Sequence, residues 1–468
     1  MRTSKYNAVV IITAVTLLLC VILLSVLLYV QGPRVRLVSF EKDPKDTSFH
    51  YNANIRITFD RPLENKDYKN QISFTPAIEF DTSTSTQAID ITLKDSFRYD
   101  TEYTLTINSD IYDKTGKNMD KPHIHTFATS MPRYVYIERN YGTEFSENEA
   151  SDDADDHVKI ARLYGQAEIL FTHPEILTIT ANSQYIAVAV HESSQDKLLI
   201  IDIVSKEITE VELTNYARIT NLVMSELGNT VVYTISPDFD SVPVSVYEEE
   251  ANRVESYSID SKEKNSIVNE DGSNVQAFSL DIDTYGSTAL IQDGAQTYFA
   301  VSPFNDFSPI VIGSRTSSFG FNEESSEIIF RDNERFSRYE IATGDNTELP
   351  IITENFVQKL AQVNDSIYYS SVNFFQNGSL SYIEQIINEV TGESRTLWST
   401  RSIPDVSLRN FSMHYDGQLI AQQLNPKDCQ FDSLPINNQC PQTYTQVYDV
   451  TTEKVVTEML GFNFIWLP

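Results

Sequence analysis

Asp202-Ile203-Val204-Ser205-Lys206-Glu207, Asp260-Ser261-Lys262-Glu263, Ala342-Thr343-Gly344-Asp345, Val390-Thr391-Gly392-Glu393 and Asp449-Val450-Thr451-Thr452-Glu453 are five versions of one hairpin turn, and their recurrence decides the fold of the longer part of the chain. Asp, Ser and Thr side chains accept hydrogen bonds from the backbone of a tight turn, and Gly, Asn and Asp tolerate its left-handed positions. An earlier turn recurs in step, at Asn182-Ser183, Gly228-Asn229, Tyr285-Gly286, Asn364-Asp365 and Asp416-Gly417. Each leads into an apolar strand, as in Tyr185-Ile186-Ala187-Val188-Ala189-Val190. Turns that recur in this way mark one supersecondary unit stacked on its own copies.

Working outward, the first strands of the copies begin near Ile176, Ile219, Val275, Ser317, Phe356 and Leu408. Those intervals of roughly 40 to 55 residues match a four-stranded propeller blade. Ahead of Ile176 stand only three strands, around Arg133–Glu138, His157–Leu163 and Ala167–Phe171, and beyond the sixth copy stands one surplus strand, Gly461-Phe462-Asn463-Phe464-Ile465-Trp466-Leu467. Pairing the surplus strand with the first three gives a seventh, mixed blade and leaves no open edge. Residues 133–468 are therefore expected to form a seven-bladed β-propeller closed by strand 461–467. The turns resemble those of TolB-like and WD40-like propellers. Within that resemblance the Asp-Gly of the earlier turn survives only at Asp416-Gly417, and the hairpin at Phe304-Asn305-Asp306-Phe307 departs from the pattern.

Residues 34–130 carry a different rhythm. Ile55-Arg56-Ile57-Thr58-Phe59, Ile72-Ser73-Phe74, Ile89-Asp90-Ile91-Thr92-Leu93, Tyr103-Thr104-Leu105-Thr106-Ile107 and His125-Thr126-Phe127 alternate apolar and polar residues. Such alternation over short runs predicts half-buried strands, and their spacing predicts a two-sheet sandwich. The segments Asp60-Arg61-Pro62, Phe74-Thr75-Pro76, Tyr99-Asp100-Thr101-Glu102-Tyr103, Asp113-Lys114-Thr115-Gly116-Lys117 and Phe127-Ala128-Thr129 resemble the bacterial immunoglobulin-like domains of S-layer and other surface proteins. The resemblance implies a spacer or adhesive module.

From Ala8 to Val30 the chain carries no charge, a length that predicts one membrane-spanning helix. Leu27-Leu28-Tyr29-Val30 has no small-residue cleavage site, so the segment reads as a retained signal-anchor, with Cys20 simply part of the helix. Arg2 and Lys5 favour a cytoplasmic N-terminus over residues 1–7, which places the remaining domains outside the cytoplasm at the cell membrane. Cys429 and Cys440 lie in a polar, Pro-containing segment, and a disulfide between them would fit an oxidising compartment.

The net charge of −31 argues against nucleic acid and against an anionic membrane face as partners. The acidic run Glu144 to Asp156, with Glu147, Glu149, Asp152, Asp153, Asp155 and Asp156, lacks the spacing of a calcium loop and reads as a solvated excursion. Glu248-Glu249-Glu250 reads the same way. His123 and His125 share one strand face without a third ligand nearby, and His191-Glu192 lacks the second His of a zincin helix. No Gly-x-Ser-x-Gly elbow and no phosphate-binding glycine loop occurs. The expectation is a membrane-anchored, all-β binding or scaffold protein whose propeller receives a protein, peptide or glycan, with no catalytic, metal or cofactor residue nominated. A propeller-type polysaccharide hydrolase or lyase, and a Tol-like envelope component, stand as alternatives.

Overall fold

A computed structural model describes residues 13–21, 32–40, 54–94, 97–139, 155–193, 195–213, 217–322, 325–352, 356–363, 366–374, 380–388, 393–399, 406–414, 417–426, 440 and 442–467. Residues 13–21 are helical. The remaining positions of the expected span Ala8–Val30 lie outside the described residues, and among the described residues no helix is long and apolar enough to cross a membrane. The chain is otherwise almost wholly β, in two compact units, Met1–Ser130 and Met131–Pro468.

The first unit is a sandwich of a four-stranded sheet (Val35–Phe40, Asn54–Phe59, Ala88–Leu93, Phe80–Thr84) and a three-stranded one (Ile72–Thr75, Glu102–Ile107, His123–Ala128). Alternate residues of the facing strands, Ile55, Ile57 and Phe59 with Tyr103, Leu105 and Ile107, fill one core. Strands Val35–Phe40 and Phe80–Thr84 escape the alternation reading because both are edges. One has exposed apolar Leu37, and the other is mostly polar Phe-Asp-Thr-Ser-Thr. The Asp113-Lys114-Thr115-Gly116-Lys117 segment is a turn built on its aspartate, whose Oδ1 accepts from the N–H groups of Thr115 (2.8 Å) and Lys117 (3.0 Å). Those bonds hold the Asp113 carboxyl below the usual carboxylate range despite its burial.

The second unit contains seven four-stranded antiparallel sheets. Six are sequential, with inner strands Ile176–Ala181, Ala217–Met224, Ser279–Ile282, Ser317–Phe321, Phe356–Val363 and Val406–Met413; these are called blades 1 to 6 below. In the seventh, strand Phe462–Leu467 pairs with Arg133–Glu138, followed by Asp156–Arg162 and Glu168–His173. Apolar clusters join the seventh sheet to blade 1 through Val135, Ile186 and Phe462 and blade 1 to blade 2 through Ala187 and Val231. Others join blades 2 and 3, 3 and 4, 4 and 5, and 5 and 6. Trp466 completes the circuit: its indole N–H donates to Ser412 O of blade 6 at 3.1 Å, and its ring meets His414 edge-on at 4.9 Å. Gly461 enters the closing strand at φ +148°, and a side chain there would collide with Ile137 O.

The repeated turn owes its form to the residues quoted at the outset. Asp202 Oδ1 accepts from Val204 N and Ser205 N, and Asp449 Oδ1 from Thr451 N and Thr452 N. The turn then passes through a left-handed residue, Lys206, Lys262, Gly344 or Glu453. Gly392, Asn364, Asp365 and Asp416 lie outside the described residues. One strand start differs from expectation. Val275 precedes the inner strand, which begins at Ser279; it is buried between blades 2 and 3 because its carbonyl accepts from Val254 N, which mimics strand periodicity.

Candidate functional site

The inner strands of blades 2 to 6 end around one cavity of about 340 Å³. Met224, Ile282, Phe321 and Met413 close their strands there, and Leu360 and Ala361 sit near the end of theirs. These supply an apolar wall. The residues that open the turns after the strands supply the polar part: Glu226, Asp283, Thr284, Asn322 and His414. The turns are cross-linked from blade to blade, with Leu227 N donating to Thr284 O at 2.8 Å and Thr284 N to Ser325 Oγ at 2.9 Å. Asp283 is spent on its own turn, accepting from Ser287 N at 2.8 Å. Asn322 does likewise for Ser326 N and Glu327 N. Among the described residues, the rim is thus tied together by backbone and side-chain hydrogen bonds.

Asp281 faces the cavity from blade 3. Burial in this wall pushes its carboxyl above the usual carboxylate range, opposed by the N–H of Ile282, the charge of Lys359 and the N–H of Phe321. Gly320 makes the room. It holds φ +93°, and a side chain there would strike Asp281 Oδ2. A cavity with a half-apolar wall and a carboxyl of raised pKa suits a ligand with an apolar body and a hydrogen-bonding group. Among the described residues, no three His, Cys, Asp or Glu side chains are grouped to hold a metal ion.

The residues singled out in the sequence lie elsewhere. His123 and His125 are half-buried on strand His123–Ala128, where the His125 ring lies 5.8 Å from that of Phe40. Burial and His125 together lower the pKa of His123. His191 ends a strand and contacts Asp196 Oδ1 at 2.7 Å, and Glu192 bonds Lys197. The acidic run needs a correction at its end. Asp156 is buried, ion-paired to Arg139 at 3.1 Å, and accepts from Ile176 N of the neighbouring blade at 3.0 Å. Asp196 repeats this device for Ile219 N at 2.8 Å. Both are blade-to-blade fasteners. Glu144, Glu147, Glu149, Asp152 and Asp153 lie outside the described residues, as does Cys429; Cys440 is buried.

None of the cavity residues stood out in the sequence. The available signal was position: Glu226, Asp283 and His414 each stand a few residues before a recurring turn, at Gly228-Asn229, Tyr285-Gly286 and Asp416-Gly417.

The bacterial Ig-like domain family matches residues 33–129. No curated protein matches the chain. Among solved structures, TolB from Acinetobacter baumannii is similar at 12% identity, with 79% of this chain and 80% of that one covered and a TM-score of 0.41. The β-propeller domain of Cps50 (Swd1) from Myceliophteria thermophila is similar at 7% identity, covering 61% and 86%, with a TM-score of 0.42. An oligogalacturonate lyase in complex with manganese is similar at 12% identity, covering 74% and 93%, with a TM-score of 0.46. Residues 33–129 are thus an Ig-like domain, and the sheet order of the second unit is that of a β-propeller.

Proposed function

We propose that this chain is a membrane-anchored binding or scaffold protein, held by residues 8–30, with its Ig-like domain and propeller outside the cytoplasm and a Cys429–Cys440 disulfide stapling one propeller loop. The propeller receives a protein, peptide or glycan ligand. The observation that carries this reading is the cavity at the ends of five inner strands, where Asp281 and Gly320 are fitted to each other inside a hydrogen-bonded polar rim. Strand-borne walls of this kind favour recognition over rearrangement.

The test is in-cell crosslinking of the full-length protein in its envelope, read by mass spectrometry. One dominant partner crosslinked near the cavity, through exposed Lys359 for example, is the expected result. Turnover of an extracellular polysaccharide by the purified full-length chain, abolished by Asp281→Asn, would overturn it in favour of an enzyme.

A further inference from the structure

The end of the propeller away from the cavity carries a feature that its neighbours lack. In blades 1, 3 and 4 the second and third strands are joined by residues 193–194, 293–296 and 333–334; in blade 2 the same connection is residues 238–252. It contains a helical turn, Phe239–Ser241, and a short helix, Val244–Glu250. Pro237, the strand residue just before this connection, pairs with Ala217, where the inner strand begins, whereas the cavity lies beyond Met224, where that strand ends. An eight-residue strand separates the two by about 23 Å, at about 3.3 Å per residue.

This crest is apolar and unusually bare. Phe239 is 57% exposed, Val244 57% and Val246 40%, and Phe278, at the start of the next blade, is 61% exposed. The crest is nevertheless built rather than loose. The Phe239 and Tyr247 rings meet edge-on at 5.0 Å. Gln276 Nε2 donates to Glu248 O at 2.8 Å and to Glu249 O at 3.2 Å, tying the helix to the segment that leads to Phe278. Residues 238–250 include Asp238, Asp240, Glu248, Glu249 and Glu250 and no Lys or Arg. Among the described residues, Glu250 is ion-paired, with Arg253, and the other four carboxylates are not.

Exposed apolar groups on a rigid base mark an interaction surface, and the surrounding charge selects the occupant. A lipid surface is disfavoured, since interfacial insertion is strongest where basic residues flank the apolar ones. A second copy of this chain would bring an identical acidic rim against the first. We infer that the blade 2 crest docks a cationic amphipathic segment of a partner protein, its apolar side chains seated on Phe239, Val246 and Phe278 and its lysines or arginines facing Asp240, Glu248 and Glu249. The interface is distinct from the cavity and does not require it.

The probe is a helical peptide of leucine and lysine only, titrated against the full-length protein, with a leucine and glutamate peptide as its counterpart. The lysine peptide is expected to bind and the glutamate peptide is not. Loss of one well-buried anchor typically weakens an interface about tenfold, so Phe239→Ser with Val246→Ser should weaken binding by at least about that factor while thermal unfolding stays unchanged. Glu248→Gln with Glu249→Gln should weaken binding and flatten its salt dependence. Equal binding by the Phe239→Ser/Val246→Ser variant would place the peptide on some other acidic surface and overturn the proposal. So would equal binding of both peptides, or dimerisation of the protein through the crest in light scattering.

Discussion

Glu255, on strand Arg253–Ser258 of blade 2, and Glu384, on strand Leu380–Asn388 of blade 5, are both nearly fully buried, at 1% and 2% exposure. Their surroundings differ. Glu255 accepts from Tyr233 OH at 3.0 Å and is ion-paired with Arg253 at 2.9 Å and Lys264 at 3.1 Å. Glu384 has the amide of Gln422, from blade 6, on one oxygen, and its Oε1 makes no hydrogen bond among the described residues. Glu384 stands four residues before its outer hairpin turn, where other blades place Leu198, Val254 and Phe336. Burial therefore raises its pKa to about 8, only partly opposed by Gln422. One blade surrounds its glutamate with two cations; the other gives its glutamate a single amide.

The contrast breaks most visibly along pH. A carboxyl whose pKa is raised on folding contributes stability that is full below its unfolded pKa near 4.5 and is lost as pH climbs toward 8. At about 1.4 kcal/mol per pKa unit, this costs the folded state about 5 kcal/mol across that window. Glu384→Gln should match the wild type in thermal unfolding at pH 4 and exceed it progressively up to pH 9. Coincident curves at both ends would mean that Glu384 is charged in the fold. Glu255→Gln should act in the opposite sense, leaving Arg253 and Lys264 against a neutral amide at a cost of about 3 kcal/mol near neutral pH in denaturant titration. Tyr233→Phe removes one bond to a charged acceptor and should cost about 1.5 kcal/mol. The smallest effect belongs to Gln422→Leu: it deletes an unbonded Oε1 along with the amide donor, so stability should move by under about 1 kcal/mol. It should also push the midpoint of the pH-dependent loss above 8.

Neither glutamate announces this in the sequence. Glu384 sits in Ser-Tyr-Ile-Glu-Gln-Ile-Ile, where apolar and polar residues are mixed on both strand faces, and the face it shares with Ile386 packs against blade 6 in the fold. The propeller itself was legible because its turns are local: Asp202 and Asp449 bond amides two and three residues ahead, and such spacing survives in one dimension. The mixed sheet was legible by counting strands, and Phe462–Leu467 lies where the count required. The cavity was not legible. Asp281, Gly320, Leu360 and His414 come from four different blades, and only the ring brings them together. Asp156 misled for the same reason, since its partners Arg139 and Ile176 lie on either side of a long acidic run.

Phe462–Leu467 leaves the ribosome after every other strand of the sheets, yet its partner Arg133–Glu138 is among the first of the propeller to emerge. Until translation reaches Trp466, the backbone of Arg133–Glu138 has one side unclaimed, and any product broken off earlier carries that exposed edge permanently. The seventh sheet is therefore complete only when strands far apart in the sequence are both present. A chain lacking that strand would present the edge of Arg133–Glu138, which the strand otherwise covers by pairing while Phe464 stacks on Tyr134 and Trp466 meets both rings edge-on.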